Sequence, residues 1–329
     1  MLSSPDFNAG HKAPALPVII DTDPGLDDAL AIFLACASPK LEIAGVVTVA
    51  GNIGLSRVTE NALKLLGSID RQDIPVIAGA EKPLRGEPLA AADIHGEDGL
   101  GGVALPTPAR AAISADATGF IEAELMRREA GSLCVLALGP LTNLAKLVQD
   151  RPRAAARLRG IIAMGGAVRD RGNVTPFAEF NIAADPEAAD IVLRSGVPVT
   201  LVPLDVTRKV MADPGFCERL AARGCESAKR SAAMIDAYFR NIARRLAAKG
   251  ATAAPSPSFP LHDPCVMLHA INPGLFRAER LPIRVVTGAS ERAGATLIDP
   301  SGGTEIEVLT DANSEAALFL ALELLCALP

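Results

Sequence analysis

The stretch PVIIDTDPGLDDALAIFLA, residues 17–35, indicates the fold class of this 329-residue chain. It predicts a buried strand at Val18–Ile20, an acidic turn, and a helix at Asp28–Ala37. The same order of a short apolar run followed by a helical pattern recurs along most of the chain. Strands of this buried, non-alternating kind are typical of parallel sheets covered on both faces. We therefore expect an α/β fold, built on a mostly parallel open sheet with helices on both faces.

Further elements follow this alternation up to the strand that ends at Val202. The strands are predicted at Ile43–Thr48, Val76–Ile77, Leu133–Leu138, Ile161–Met164 and Val199–Val202. The helices are predicted at Arg57–Leu66, Gly119–Arg128, Leu144–Gln149 and Pro186–Arg194. Because such sheets bind ligands at the carboxyl ends of their strands, the residues after each strand are the candidates for a site.

The pattern changes after Val202. Helices are predicted at Glu226–Lys249, from near Asp263, and at Ala316–Leu325, with a loop at Thr252–Pro260. Late strands, expected to be antiparallel, are predicted at Leu281–Val286, Ala295–Leu297 and Ile306–Leu309. No linker separates two autonomous units, so we expect a flexible tail of residues 1–16 and a single domain over residues 17–329.

Composition narrows the possible function classes. The formal net charge is −6, Lys and Arg form no dense block, and aromatic residues make up 3% of the chain. These features argue against nucleic acid and membranes as partners. The six cysteines form no CxxC pair, and the first residues lack the basic-then-apolar layout of a signal peptide. We therefore expect a cytoplasmic protein.

Four carboxylates crowd the turn after the first strand, those of Asp21, Asp23, Asp27 and Asp28. A helix N-terminus offsets roughly 0.3–1 kcal/mol per charge, which is too little for all four. A bound hard cation, Ca²⁺ or Mg²⁺, would relieve their repulsion. Helix capping explains one Asp but not four. An EF-hand would need a Gly and a Glu that are out of place here, and a haloacid-dehalogenase-like phosphotransferase would need a later acidic motif that is not evident.

Seven motifs in chain order resemble those of one enzyme family. They are DTDPGLDDA (21–29), VTVAGN (47–52), HGEDGLGG (95–102), LGPLTNLA (138–145), MGG (164–166), GNVTPFAEFNIAADPEAA (172–189) and HDPC (262–265). Together they are similar to the signatures of the nucleoside hydrolases, the inosine–uridine-preferring nucleoside N-ribohydrolases. The resemblance implies the fold of that family, a role in nucleoside salvage, and hydrolysis of the N-glycosidic bond of ribonucleosides to free base and ribose.

The resemblance also implies a calcium site. Its ligands would be Asp23, Asp28 through both oxygens, Asp263 and the backbone carbonyl of Leu138. Asp23 would in addition be the general base toward the calcium-bound water. Only a main-chain oxygen is needed at Leu138, so its apolar side chain is compatible with this role.

The same resemblance implies the groups that hold the sugar. Asp27 would contact the ribose hydroxyls, and Asn181 the 2′- and 3′-hydroxyls. Asn173 and Glu179 would hold the 5′-hydroxyl, and Asn52 would be a further sugar contact. Amides and carboxylates suit ribose because each hydroxyl is both a donor and an acceptor. Without the family context, Asn173 would be interpreted as a turn residue and Asn181 as a helix cap.

The base side of the site would carry the proton donor. On the family pattern His262 protonates the leaving base, and His95 lies near the base and the ribose. Met164 and Tyr238 would line the pocket, although Tyr238 is equally consistent with a core position. Base preference would be set by the Glu81–Pro108 loop and by the region from Tyr238 through the 249–262 loop.

Two alternative functions stay open at this point. A hydrolase of the same fold for a modified nucleoside or another N-riboside would keep the same metal site. Arg169 and Arg171, just before Asn173, would suit a substrate with a phosphate at its 5′ end. A non-catalytic nucleoside- or ribose-binding protein is disfavoured because Asp23 and Asp263 are both present. The family forms dimers and tetramers, so we expect a homodimer or a homotetramer.

Overall fold

The computed structural model describes residues 14–248, 250 and 256–328 of the chain. Its strands are β1 (Leu16–Thr22), β2 (Leu41–Thr48), β3 (Val76–Ala78), β4 (Cys134–Ala137), β5 (Gly160–Met164), β6 (Val199–Val202), β7 (Met211–Ala212), β8 (Phe259–Pro260), β9 (Phe276–Val285), β10 (Thr296–Ile298) and β11 (Thr304–Ala312). Its α-helices are α1 (Leu26–Ala37), α2 (Leu55–Gly67), α3 (Ala92–His95), α4 (Ala117–Arg127), α5 (Thr142–Asp150), α6 (Pro152–Ala155), α7 (Phe180–Ala184), α8 (Pro186–Leu193), α9 (Leu204–Thr207), α10 (Pro214–Ala222), α11 (Glu226–Ala248), α12 (His262–Ile271) and α13 (Ser314–Leu325).

The main sheet has nine strands in the order β10-β9-β11-β6-β5-β4-β1-β2-β3. Each neighbouring pair from β11 across to β3 is parallel. At the opposite edge, β9 runs antiparallel to both β11 and β10. The prediction of a mostly parallel sheet is therefore confirmed. Of the late strands, β11 pairs parallel with β6, and its pairing with β9 is antiparallel as expected.

Side chains of β1 alternate between two hydrophobic cores, one on each face of the sheet. Val18 and Ile20 belong to the core that α1, α12 and α13 cover, whereas Ile19 belongs to the core under α4, α5 and α8. All three side chains are fully buried. A strand covered on both faces needs apolar residues at successive positions, which explains the continuous apolar run in the sequence. The predicted cover of helices on both faces is thus confirmed.

The strand order places the carboxyl end of β1 at a point where the chain changes direction across the sheet. The chain leaves β1 toward β2 on one side, and β4 later pairs on the other side. Asp21, near the end of β1, is aligned with Val47 of β2 and with Ala137 of β4. In open α/β sheets a crevice forms outside the strand ends at such a point. The acidic turn of residues 21–28 therefore opens toward a crevice.

Short elements account for most of the differences from the predicted structure. The sequence predicts a loop through Phe259–Pro260, whereas these residues form β8 and pair antiparallel with β7. The helices α3, α6, α7 and α9 have four or five residues each and show no apolar period in the sequence. Leu16, assigned to the tail, lies in β1. The remaining predictions for residues 1–13, 249 and 251–255 fall outside the described residues.

The cysteines of the described residues form no disulfide bonds. All six carry free thiols, of which Cys134 and Cys265 are buried. Burial raises the pKa of the Cys134 thiol to about 12, so this thiol stays protonated and inert.

None of the described helices combines the length and the apolar character that a membrane span requires.

Candidate active site

A cavity of about 740 Å³ lies at the carboxyl ends of the sheet strands. It is lined by the predicted site residues Asp27, Asn52, His95, Leu138, Met164, Asn173, Glu179, Asn181, Tyr238, His262 and Asp263. Asp23 and Asp28 do not line it, but both are buried and both accept hydrogen bonds from Asn52, which does. The structure therefore brings together residues that the sequence separates by up to about 240 positions.

Three carboxylates converge at one end of this cavity. Oxygen atoms of Asp27, Asp28 and Asp263 all lie within 4.8 Å of one another. Burial, together with the charges of Asp27 and Asp28, holds the pKa of Asp263 well above its usual range. Burial and the charge of Asp28 likewise raise the pKa of Asp27 to about 8. A cation at this cluster would remove the repulsion that these shifts express.

Asp23 lies beside the cluster with one oxygen free. The backbone N–H of Asn52 donates to Asp23 Oδ2 at 2.7 Å, while Asp23 Oδ1 is buried and has no hydrogen-bond partner among the described residues. The lack of a side chain at Gly139 leaves room for this oxygen, because a Cβ at Gly139 would lie 2.5 Å from Asp23 Oδ1. A buried carboxylate oxygen without a partner is costly, so this oxygen is available to a ligand.

Asp28 combines a structural contact with its place in the cluster. Its carboxylate accepts hydrogen bonds from the Thr22 hydroxyl, from the Gly25 N–H at 2.9 Å and from the Asn52 amide at 3.2 Å. The Gly25 contact closes the first turn of α1. Asp28 therefore caps α1, as the capping interpretation of the acidic turn requires. This role does not explain the presence of Asp23, Asp27 or Asp263.

The carbonyl of Leu138 is exposed to the site by the turn that follows β4. It accepts a hydrogen bond of 2.6 Å from Asn181 Nδ2, which also contacts the Met164 carbonyl at 3.2 Å. A carbonyl oxygen has two lone pairs, so this contact leaves one for a further ligand. Asn181 is thus fixed against the ends of β4 and β5.

Glu179, and not Asn181, caps α7. Its carboxylate accepts from the backbone N–H groups of Asn181 at 3.0 Å, Ile182 at 3.3 Å and Gly166 at 3.0 Å. Burial nevertheless raises the pKa of Glu179 to about 7. Asn173 lies on the loop between β5 and α7 and is exposed at the cavity wall. The loop and α7 therefore present an amide and a carboxylate to the same cavity.

Two histidines line the cavity, and both are neutral. The Leu26 N–H donates to His95 Nδ1 at 3.0 Å, so the ring proton of His95 is on Nε2. Burial lowers the pKa of His95 to about 4. His262 Nδ1 is 2.7 Å from the Thr207 hydroxyl, and burial together with the charge of Arg208 lowers its pKa to about 3. Each ring is held through Nδ1, which leaves Nε2 for a ligand.

Tyr238 is part of the cavity wall on α11. Its ring packs edge-on against Phe259 at a centroid distance of 4.7 Å, so it has both a core contact and a face on the cavity. The same helix holds α3, since Asn241 Nδ2 donates to the Ile94 carbonyl at 2.9 Å and Arg245 pairs with Asp93 at 3.1 Å. The loop that carries His95 is therefore docked on the helix that carries Tyr238.

The sequence reasoning missed Thr207 and Arg208. Thr207 bonds to His262, and Arg208 lines the cavity. A signal was present, because the polar residues of LDVTR (204–208) follow β6, at the same edge of the sheet as the acidic turn.

The chain is similar to known proteins over most of its length. A sequence model described as inosine-uridine preferring nucleoside hydrolase matches residues 18–318. The pyrimidine-specific ribonucleoside hydrolase RihA of Salmonella gallinarum is 37% identical over 314 residues, which cover 94% of this chain and 98% of that protein. A solved plant nucleoside hydrolase has a TM-score of 0.87 at 34% identity, covering 95% of this chain and 99% of that one. A purine-preferring ribonucleoside hydrolase from Gardnerella vaginalis has a TM-score of 0.86 at 27% identity, covering 94% and 98%.

Proposed function

This chain belongs to the inosine-uridine preferring nucleoside hydrolase family, and we propose that pyrimidine ribonucleosides are its preferred substrates. As a member of the family it hydrolyses ribonucleosides, releasing the free base and ribose. The proposed preference is supported by the similarity to the pyrimidine-specific relative, which is 37% identical over 94% of this chain.

The observation that carries the enzymatic assignment is the cavity itself. It combines an acidic cluster at one end with amides, carboxylates and histidines along its walls. Cleavage of an N-glycosidic bond passes through an oxocarbenium-like sugar, which needs an activated water, a firm grip on the hydroxyls and a proton for the leaving base. The described residues supply a candidate for each of these tasks.

A calcium ion fits the donor set. The unpartnered oxygen of Asp23 and the three converging carboxylates are hard oxygen donors, as Ca²⁺ requires. We propose that Asp23, Asp28, Asp263 and the Leu138 carbonyl hold the ion, as the family resemblance implies. When bound, the ion would polarise a water molecule and anchor ribose hydroxyls. Asp27, which the structure places in the same cluster, is assigned to the ribose.

Asp23 is proposed as the general base. The Asn52 N–H fixes its Oδ2 and so orients the carboxylate that is proposed to take a proton from the attacking water. Ionisation of Asp23 is unfavourable in the protein alone, because burial and the charge of Asp28 raise its pKa. Beside a bound cation the ionised form of this carboxylate would be favoured.

The ribose is proposed to lie between the cluster and the β5–α7 loop. Asp27, Asn52 and Asn181 would meet the 2′- and 3′-hydroxyls, and Asn173 and Glu179 the 5′-hydroxyl. Asn181 is fixed by two carbonyls and Glu179 by three backbone N–H groups, so both are oriented before the substrate arrives. Preorganised polar groups of this kind lower the cost of holding the reacting sugar. Met164 would support Asn181, because the Met164 sulfur lies 3.4 Å from the Asn181 side-chain amide nitrogen.

His262 is proposed to protonate the leaving base. The Thr207 hydroxyl holds Nδ1, so Nε2 is the atom that can reach a ligand in the cavity. The pKa of about 3 means that the free protein keeps His262 neutral at pH 7. To act as an acid, the imidazole must therefore first take up a proton from solvent. His95 and Tyr238 would bound the base on the other sides.

A substrate with a 5′-phosphate is disfavoured. Arg169 pairs with Glu279 at 2.8 Å on the surface, and Arg171 does not line the cavity. Arg208 does line it, but its guanidinium is already paired with Asp170 at 2.7 Å. The Glu179 carboxylate would also repel a phosphate. A modified base or another N-riboside stays compatible with the same ribose contacts.

A panel of ribonucleosides tests this function. Released ribose is measured as reducing sugar with uridine, cytidine, inosine, guanosine and adenosine, and Asp23→Asn serves as the control for contaminating hydrolases. We expect kcat/KM for uridine and cytidine to exceed that for the purine nucleosides by about tenfold or more, a difference that pocket contacts can supply. Equal or higher rates with purine nucleosides would contradict the proposed preference. The expected cytoplasmic location and homo-oligomeric state stay predictions.

A further inference from the structure

Arg208 lies where the cavity meets the loop that carries Asn173. It follows α9 directly, and its side chain is 29% exposed. Nη1 donates to Asp170 Oδ2 and to the Arg171 carbonyl, both at 2.7 Å, and Nη2 donates to the Gly172 carbonyl at 3.3 Å. One guanidinium therefore binds three consecutive residues immediately before Asn173.

The α9 segment holds the other end of the same loop as well. The Asp205 carboxylate accepts from the backbone N–H groups of Val168 at 2.9 Å and Arg169 at 2.6 Å. The Leu204 N–H donates to the Gly166 carbonyl at 2.9 Å. The loop from 166 to 173 is therefore attached to α9 at its start through Asp205 and at its end through Arg208.

The turn at Gly172 packs closely against the residues that follow it. A Cβ at Gly172 would lie 2.2 Å from the Ala178 carbonyl oxygen. The Asn173 N–H donates to that same oxygen at 3.2 Å. In the described part of the chain the Asn173 side-chain amide makes no hydrogen bond, so it is placed only by the backbone that carries it.

Arginine suits this task better than lysine would. Its planar guanidinium donates several hydrogen bonds in fixed directions, whereas an ammonium group acts as a compact point charge on a flexible stem. The neighbouring Arg169 has no comparable position, because it pairs with Glu279 and both side chains are about half exposed. Arg169, on the surface, is therefore a suitable control for Arg208, at the cavity.

We propose that Arg208 is a positioning residue for the 5′ end of the substrate: it fixes the 170–172 turn so that the Asn173 amide meets the 5′-hydroxyl. This inference rests on the proposed function, in which Asn173 and Glu179 hold that hydroxyl. Arg208 itself does not touch the reacting atoms. Its contribution through Asn173 is therefore seen only with substrates that have a 5′-hydroxyl to be held, whereas its charge acts on His262 with every substrate.

The test combines variants with a substrate that lacks the hydroxyl. Wild type, Arg208→Ala, Arg208→Lys and the control Arg169→Ala are assayed with uridine and with 5′-deoxyuridine. We expect Arg208→Ala to lower kcat/KM for uridine by about 10- to 100-fold, the size of a lost hydrogen bond to a polar group. With 5′-deoxyuridine the loss should be at least about tenfold smaller than with uridine, because the contact that Arg208 supports is already missing. The effect of the lost charge on His262 is common to both substrates and cancels in this comparison. Arg208→Lys should resemble Arg208→Ala, and Arg169→Ala should resemble wild type.

Other outcomes overturn the proposal. An equal loss with both substrates would show that Arg208 supports His262 or the fold instead of Asn173, and no loss with either would show that the turn needs no such contact. Asp170→Ala, which removes the acceptor and keeps the arginine, should show the same substrate dependence if Arg208→Ala does not fold. Wild-type inactivity on both substrates would overturn the proposed function, and this inference with it.

Discussion

Asp23 and Asp27 belong to one turn but have different surroundings. Asp23 is 1% exposed, with one oxygen on the Asn52 N–H and the other without a partner among the described residues. Asp27 lines the cavity, and its Oδ1 lies 3.9 Å from His95 Nδ1. Because Asp27 also belongs to the carboxylate cluster, the proposed division of roles, with Asp23 for the metal and the water and Asp27 for the substrate, is tested by substituting each residue.

The two aspartates are therefore expected to respond differently to substitution. Asp23→Asn should weaken calcium binding by about tenfold or more and lower kcat by about 10²–10⁴-fold, the usual loss for a general base. Asp27→Asn should raise KM for uridine and leave calcium affinity nearly unchanged. Calorimetric titration with calcium and steady-state kinetics measure both effects. A loss of calcium affinity with Asp27→Asn but not with Asp23→Asn would assign the ion to Asp27, Asp28 and Asp263 instead, and equal losses would show that both residues hold it.

His262 is expected to matter only when the leaving base needs a proton. His262→Ala should lower kcat for uridine by about 10²–10⁴-fold, as for a lost general acid. With 4-nitrophenyl riboside, whose leaving group departs as a stable anion, the rate should hardly change. The activated substrate is also the control for folding, because its hydrolysis requires an intact metal and ribose site. If both substrates slow equally, His262 only positions Asp263.

Asp185 joins helix α8 to two other elements of the fold. Its Oδ1 accepts from the Ala188 N–H at 3.0 Å and so caps α8. Its Oδ2 accepts from the Thr142 hydroxyl at 2.7 Å, at the start of α5, and from the Leu84 N–H at 2.8 Å, in the 81–108 loop. The side chain is fully buried, so its loss leaves these donors without an acceptor.

Asp185→Ala is accordingly expected to lower the free energy of unfolding by about 2–4 kcal/mol, which combines a lost cap with buried donors left unsatisfied. Asp213→Ala is the matched control, because Asp213 caps α10 through the Phe216 N–H at 2.7 Å but is exposed. Loss of this cap alone should lower the free energy of unfolding by about 1 kcal/mol. Urea unfolding of both variants measures the difference. An equal decrease in the free energy of unfolding for both variants would show that Asp185 acts only as a cap.

The elements that could be predicted are those whose signal is local. A buried strand shows itself as an apolar run. Asn52 and Leu138 could be placed at the cavity, and Asp23 beside it, because each comes just after such a run. The contact between Thr207 and His262 could not be predicted in this way. It depends on the pairing of β7 with β8, which are two residues long and close in space but not in sequence.

The whole molecule keeps an unusual set of buried ionisable groups near its cavity. Burial raises the pKa of carboxyl groups, to about 7 for Asp21 and Glu179, to about 8 for Asp27, and well above the usual range for Asp23 and Asp263. Burial shifts His95 and His262 the other way, to pKa values of about 4 and 3. Above about pH 7 these histidines are mostly neutral in both the folded and the unfolded state. In that range the carboxyl groups bind more protons when the protein is folded, and thiols such as Cys134, whose pKa burial raises to about 12, act in the same direction.

The stability of calcium-free protein should therefore fall as the pH rises from 7 to 8.5, since the folded state loses protons that the unfolded state has already lost. We expect a melting temperature several degrees lower at pH 8.5 after chelation, and a larger gain from added calcium there than at pH 7. Thermal melts with and without chelator measure this. The Asp23→Asn variant, with one repelling charge fewer, should depend less on pH. A chelated protein that melts at the same or a higher temperature at pH 8.5 would contradict the role given to the buried carboxylates.

The carboxylate cluster unites distant parts of the chain, and this has a consequence for its biosynthesis. Asp28 belongs to the first helix, whereas Asp263 belongs to the twelfth, 235 positions later (263 − 28). At ribosomal rates of about 5–20 residues per second, roughly 10–50 s separate the synthesis of the two residues. Throughout this interval the nascent chain carries the acidic turn without the helix that completes the cluster. A ribosome that stalls before residue 263 therefore holds a chain with most of its sheet strands made but no complete site.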